Sequence, residues 1–125
     1  MEREEVFFDT YGLVELVKAN PKYYPLSDKK IVTSWLNLME LYYVILSNLG
    51  ENKAKDAFKK FKEIVIEVED EELFDAMDFR LKHKKLNLSY IDSIGYCVAK
   101  KRRIKFVTGD EGFRHLDNVI FIKKD

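Results

Sequence analysis

An α/β fold with a mainly parallel sheet covered by helices is what this 125-residue sequence predicts. Three observations carry that expectation. Short apolar, β-branched or aromatic runs recur at 6–8, 64–68, 104–108 and 119–122. Segments of helical periodicity separate them, and parallel strands need such crossovers. No repeat, low-complexity tract or Pro/Gly-rich linker interrupts the chain, so residues 1–125 are expected to form one three-layer α/β/α domain.

The elements follow in order. Val6-Phe7-Phe8 reads as a buried strand. Asp9 and Thr10 can cap a helix over Tyr11 to Lys18, with Leu13, Leu16 and Val17 on one face. Pro21 and Pro25 mark a connection. Ser27 or Asp28 is then expected to open a long helix reaching Leu49, with Gly50 as its stop. A third helix covers Asn52 to Lys62, and Ile64 to Val68 is a strand. Asp70 to Lys84 is an amphipathic helix expected to bury Leu73, Phe74, Met77 and Leu81. Ser89 opens a helix to Lys101 with Ile91, Ile94, Cys97 and Val98 inward. Ile104 to Thr108 is a strand, Glu111 to Leu116 a helical turn, and Val119 to Ile122 the last strand.

Composition narrows the function. Lys plus Arg and Asp plus Glu are both 22, so no whole-molecule basic field exists and nucleic-acid contact needs a local patch. One cysteine, Cys97, allows neither an internal disulfide nor a Cys-based zinc site. The charged start Met1-Glu2-Arg3-Glu4-Glu5 is unlike a signal peptide, and no apolar run approaches the ~18 residues of a membrane span. A cytoplasmic protein is expected.

Four carboxylates stand out. Asp9 and Asp110 each follow a strand, where parallel sheets place ligands. Each could equally be a cap or turn residue. Glu40 lies within the most apolar segment of the chain, on a face shared with Thr33, Asn37 and Ser47 if the long helix forms. That stripe could also be a solvent face. Asp92 follows Ser89 by three residues, the spacing of a capping box. Four neighbouring carboxylates cannot all ionise without a cation. An all-oxygen set suits Mg²⁺ or Mn²⁺, which activate water and neutralise charge at a phosphate.

On these residues the chain resembles the PIN domain, the nuclease fold of many prokaryotic toxin–antitoxin ribonucleases of the VapBC type. The resemblance runs through Val6-Phe7-Phe8-Asp9-Thr10, Asn37-Leu38-Met39-Glu40, Leu88-Ser89-Tyr90-Ile91-Asp92 with Ala99, and Val107-Thr108-Gly109-Asp110-Glu111-Gly112-Phe113. It implies a Mg²⁺- or Mn²⁺-dependent endoribonuclease that leaves a 5′-phosphate. It also implies Asp9, Glu40, Asp92 and Asp110 as metal ligands and catalytic acids, with Thr108 and Asn37 supporting them by hydrogen bonds. Many members carry a further acid where this chain has Gly112.

Two basic runs could meet phosphates: Lys100 to Arg103 with Lys105, and Lys82 to Lys85. Helix-end charge complementing the dipole explains them equally. The acidic stretch from Glu67 to Asp78 reads as a solvated face. His83 and His115 lack ligand spacing, and Cys97 reads as inert core. The aromatic and apolar residues Tyr11, Leu13, Tyr23, Tyr24, Trp35, Tyr42 and Tyr43 exceed what a small sheet needs. They suggest a homodimer or antitoxin surface. The leading expectation is a toxin ribonuclease. A non-cutting PIN-like binding module and a PIN nuclease of RNA processing are the alternatives. A phospho-acceptor domain would need a lysine ending a late strand, and Thr108-Gly109-Asp110 has none.

Overall fold

A computed structural model describes residues 3–124; Met1 and Glu2 of the charged N-terminal stretch, and Asp125, lie outside the described residues. Five strands form one sheet: β1 (Glu5–Phe8), β2 (Lys30–Ser34), β3 (Val65–Ile66), β4 (Lys105–Thr108) and β5 (Val119–Phe121). Their order is β3-β2-β1-β4-β5, and every pairing is parallel. Five α-helices connect them: α1 (Thr10–Val17), α2 (Trp35–Leu49), α3 (Glu51–Phe61), α4 (Asp70–Lys82) and α5 (Tyr90–Lys101).

Strand alternation sorts the core into two layers. Val6 and Phe8 of β1 face α1, α2 and α3, where they meet Leu13, Leu38, Leu41, Ile45 and Phe61. Phe7 faces the other way, onto Ala76, Ile94, Tyr96, Val98 and Phe106 beneath α4 and α5. Gly95 lets α5 approach the sheet: a Cβ there would lie 2.9 Å from Phe7 Cε1 and 3.1 Å from Phe106 Cε1. The expected three-layer α/β/α arrangement is therefore present.

Three expectations are corrected. The long helix from Ser27 or Asp28 does not exist. Pro21–Leu26 is a 3₁₀ turn, Lys30–Ser34 is strand β2, and the helix begins at Trp35. The β-branched Ile31-Val32-Thr33 favours a strand, and Ser34 caps the helix by accepting from Asn37 N. Thr33 is consequently a buried strand residue rather than part of a helix stripe with Asn37, Glu40 and Ser47. Its hydroxyl donates to Phe8 O at 2.8 Å. The strand read over Ile64 to Val68 shrinks to two residues after a 3₁₀ turn at Lys62–Ile64.

The face of α4 is also different. Leu73, Phe74, Met77 and Leu81 are exposed, and α4 instead buries Glu72 and Ala76. Ala76 is small enough to bring α4 close to α5. Glu72 is drawn inward by Arg102, whose Nε and Nη2 both reach its carboxylate at 2.7 Å. In α5, Tyr96 is fully buried, whereas Ile91 and Cys97 are only partly so. Leu13 and Tyr23, expected on a partner surface, lie in the core.

Glu72 is 3% exposed, whereas the Arg102 side chain is 31% exposed and also donates to Glu67 O. Glu72→Ala should lower stability by roughly 1–3 kcal/mol in urea or thermal unfolding, the cost of lost charge-assisted hydrogen bonds. The Arg102 hydrogen bonds hold the Glu72 carboxyl below its ordinary range. Its contribution is therefore full above the ordinary 4.5 and lost as pH falls through the lower folded value. Glu72→Gln should flatten that part of the acid limb.

Candidate functional site

The site lies past the carboxyl ends of β1, the central strand of the order β3-β2-β1-β4-β5, and of its neighbour β4. Asp9 ends β1 and caps α1. Its Oδ1 accepts from Gly12 N at 2.7 Å, and its Oδ2 accepts from Thr108 Oγ1 at 2.6 Å. Asp110 follows β4 and caps a 3₁₀ turn at Glu111–Phe113; Oδ1 accepts from Gly112 N at 2.9 Å. Thr108 Oγ1 also accepts from Asp110 N at 3.1 Å, so one hydroxyl joins both acids.

Asp92 completes the expected capping box with Ser89. Its Oδ2 accepts from Ser89 N, and its own N–H donates to Ser89 Oγ. Glu40 is half-buried on α2, and its Oε1 accepts from Thr10 Oγ1 at 2.6 Å. Asn37 Nδ2 donates to Thr10 Oγ1, and Ser34 Oγ donates to Asn37 Oδ1. Asn37 thus acts on Glu40 through Thr10. Thr10 and Ser34 were missed as site residues. The adjacency of Thr10 to Asp9 and the Ser34-x-x-Asn37 capping spacing were the available signals.

Electrostatics tie the acids together. Asp9 is 3% exposed, and its pKa is pushed up to about 7. Burial is the main cause, opposed by the Thr108 and Gly12 hydrogen bonds and reinforced by the charges of Asp92 and Asp110. Asp92 is also raised, first by burial, with Asp110 and Glu40 adding repulsion. Asp9 is thus repelled by Asp92 and Asp110, and Asp92 by Asp110 and Glu40. They do not meet at one point: among the described residues no three His, Cys, Asp or Glu side chains form a ready metal cage. The hydrogen bonds engage one oxygen each of Glu40, Asp92 and Asp110. The donor set is all oxygen, anionic and mutually repulsive, which fits a hard divalent cation.

Gly112 is closely packed. A Cβ there would lie 2.7 Å from Leu88 Cδ2 and 3.0 Å from Leu86 O, with Asp110 Oδ1 at 3.3 Å. A side chain at this position would require Leu88 and the neighbouring backbone of Leu86 to shift. The Lys100–Arg103 run is turned to internal pairing: Lys100 to Asp117, Lys101 to Asp75 and Arg102 to Glu72. His83 and His115 are exposed, as expected.

The family model described as PIN domain matches residues 6–119. No curated protein sequence matches the chain significantly. Solved structures of similar fold include a toxin–antitoxin complex from Klebsiella pneumoniae, at 18% identity and TM-score 0.75, covering 95% of this chain and 99% of that one. VapBC2 from Rickettsia felis, bound to a DNA fragment from its promoter, aligns at 19% identity and TM-score 0.74, covering 97% and 99%. The sarcin–ricin-loop-cleaving toxin VapC20 of Mycobacterium tuberculosis aligns at 18% identity and TM-score 0.70, covering 80% and 85%.

Two outcomes follow from this geometry. The folded pKa of Asp9 lies above its ordinary 3.8, so its fold contribution is full below that value and declines as pH rises through about 7. In metal-free buffer, Asp9→Asn should flatten that decline, a difference on the order of a few kcal/mol in pH-resolved unfolding. Gly112→Ala should cost roughly 1–3 kcal/mol by overpacking against Leu86 and Leu88, measured by the same method.

Proposed function

Because the chain belongs to the PIN-domain family, we propose that it is a divalent-metal-dependent endoribonuclease, the toxin of a toxin–antitoxin pair. The observation that carries this reading is the pair Asp9 and Asp110 past the ends of β1 and β4, joined through the Thr108 hydroxyl, with Glu40 held by Thr10 beside Asp9. These three and Asp92 would hold Mg²⁺ or Mn²⁺. When bound, such an ion activates water and offsets charge at a scissile phosphate.

The chain's own groups orient that set. Thr108 and the Gly12 N–H fix both oxygens of Asp9. Thr10, held by Asn37, fixes Glu40. The Gly112 N–H fixes Asp110. Each such bond lowers the number of orientations a carboxylate loses when it binds a cation.

A protein partner is supported by two exposed apolar stripes. Trp35, Met39, Tyr43 and Leu46 run along α2, and Leu73, Phe74, Met77 and Leu81 along α4. Trp35 and Leu73 line one cleft of about 560 Å³, so the stripes adjoin. An antitoxin, or a second copy in a homodimer, would cover them. Among the described residues no helix is long and apolar enough to cross a membrane, and the proposed site of action is the cytoplasm. Gly112 in place of a further acid favours the second reading, a PIN-like module that binds RNA or protein without cutting.

The test is cleavage of a panel of single-stranded and structured RNAs with Mg²⁺, Mn²⁺ or EDTA. Cutting should need metal, and Asp110→Asn should reduce it by about 100-fold or more. Mn²⁺ should also raise the unfolding temperature of the wild type, and EDTA should reverse the rise. Metal binding without cutting would select the second reading. Absence of both effects would reject the metal site.

A further inference from the structure

Four carboxylates repel a polyanion, so a strand approaching them must be held by other groups. The structure places such groups on the segment joining α4 to α5. After α4, Lys84–Leu86 forms a 3₁₀ turn and Asn87 takes a left-handed conformation with φ 55°. Leu86 and Leu88 then pack on Gly112, whose N–H holds Asp110. This segment is therefore a wall of the carboxylate site. Its outer side opens as a cleft of about 260 Å³ lined by Arg80, His83, Lys84, Asn87 and Leu88. Three of those five side chains are basic.

Beside the cleft stands Tyr90, the first residue of α5 and two before Asp92. Its ring is 60% exposed although the Arg80 guanidinium covers one face, 4.1 Å from the ring centroid. Arg80 is itself anchored: its Nε donates to Leu88 O at 3.0 Å. The His83 ring is fixed as well, 4.3 Å from the Phe79 centroid and with Nδ1 2.9 Å from Phe79 O. A rigid aromatic face and cations, here Tyr90 with Arg80 and Lys84, are the two components of single-strand binding. Two residues span about 200° of helix, so Tyr90 and Asp92 flank opposite sides of the α5 start. They lie about one helix diameter, ~10 Å, apart.

We propose that Tyr90, backed by Arg80, stacks on an unpaired base of the strand that approaches the carboxylates, removed from the cleavage position by the width of the α5 start, while Arg80 and Lys84 hold its phosphate. This subsite rests on the ribonuclease reading and names its substrate as single-stranded RNA. A paired base hides its faces in the helix stack, so duplex RNA cannot use the ring.

The experiment uses the full chain carrying Asp110→Asn in EDTA, so that binding is read without cutting. The probe is a single-stranded ten-nucleotide RNA, followed by anisotropy. 2-Aminopurine is placed at each position in turn. Tyr90→Ala should weaken binding about tenfold, the size of one lost base stack. It should also abolish fluorescence quenching at one position of the probe. Tyr90→Phe and Tyr90→Trp should retain both. Lys84→Ala should reduce the salt dependence by about one charge. Unchanged affinity and quenching in Tyr90→Ala would overturn the subsite, as would failure of the Asp110→Asn chain to bind the probe. In the metal-loaded chain without Asp110→Asn, Tyr90→Ala should raise KM more than it lowers kcat. Cutting with unchanged KM would overturn the subsite and leave the nuclease intact. Binding and quenching as expected, with no cutting by the wild type, would overturn the nuclease reading and keep the subsite as an RNA-binding site.

Discussion

The buried carboxylate of Asp9, clasped by Thr108 and the Gly12 amide, is the constraint around which this structure is arranged. An acid 3% exposed is costly unless donors surround it. Each donor comes from a different place. One is the open amide at the start of α1, which exists only because the helix begins immediately after the strand. The other is a hydroxyl at the end of β4, which requires β4 to lie beside β1. The parallel register delivers this: Phe8 pairs with Val107, and Asp9 N donates to Val107 O. Asp110 then follows Thr108 closely enough to share its hydroxyl.

Much of this was legible from residues. The strand ends at Asp9 and Thr108 and the Ser89-x-x-Asp92 box are local patterns, and local patterns survive folding. The failures were those of context. Ile31-Val32-Thr33 runs straight into the apolar segment that forms α2, so periodicity merged a strand with a helix. On α4 the spacing of Leu73, Phe74, Met77 and Leu81 suggests an inward apolar face. The neighbouring α5 instead needed a close approach at Ala76 and a partner for Arg102. Which face of a helix turns inward is decided by its neighbour, not by its own sequence. The role of Thr10 was equally hidden, because its hydrogen bond reaches a residue 30 positions away.

Cap and ligand were competing readings for Asp9, Asp92 and Asp110, and the geometry makes them compatible. Each does cap a helix or turn. A cap fixes the rotamer of the acid, which is the preorganisation a binding site requires. The local chemistry that starts these elements thus aims the carboxylates as well. The segment between α4 and α5 serves similarly: it ends one helix, starts the next and packs the Asp110 turn through Gly112.

The bond from Thr108 to Asp9 spans 99 positions of sequence. Chains emerge from the ribosome N-terminus first and domains fold as they emerge. A nascent chain that has released Asp9, Glu40 and even Asp92 still lacks β4, and with it Thr108 and Asp110. Its Asp9 has neither its hydroxyl donor nor its neighbouring strand, and stays a solvated, ordinary acid. The site therefore closes only after Thr108 and Asp110 have been made and β4 has paired with β1. A centre assembled in this order cannot exist in any shorter N-terminal fragment, however well β1, α1 and α2 fold by themselves.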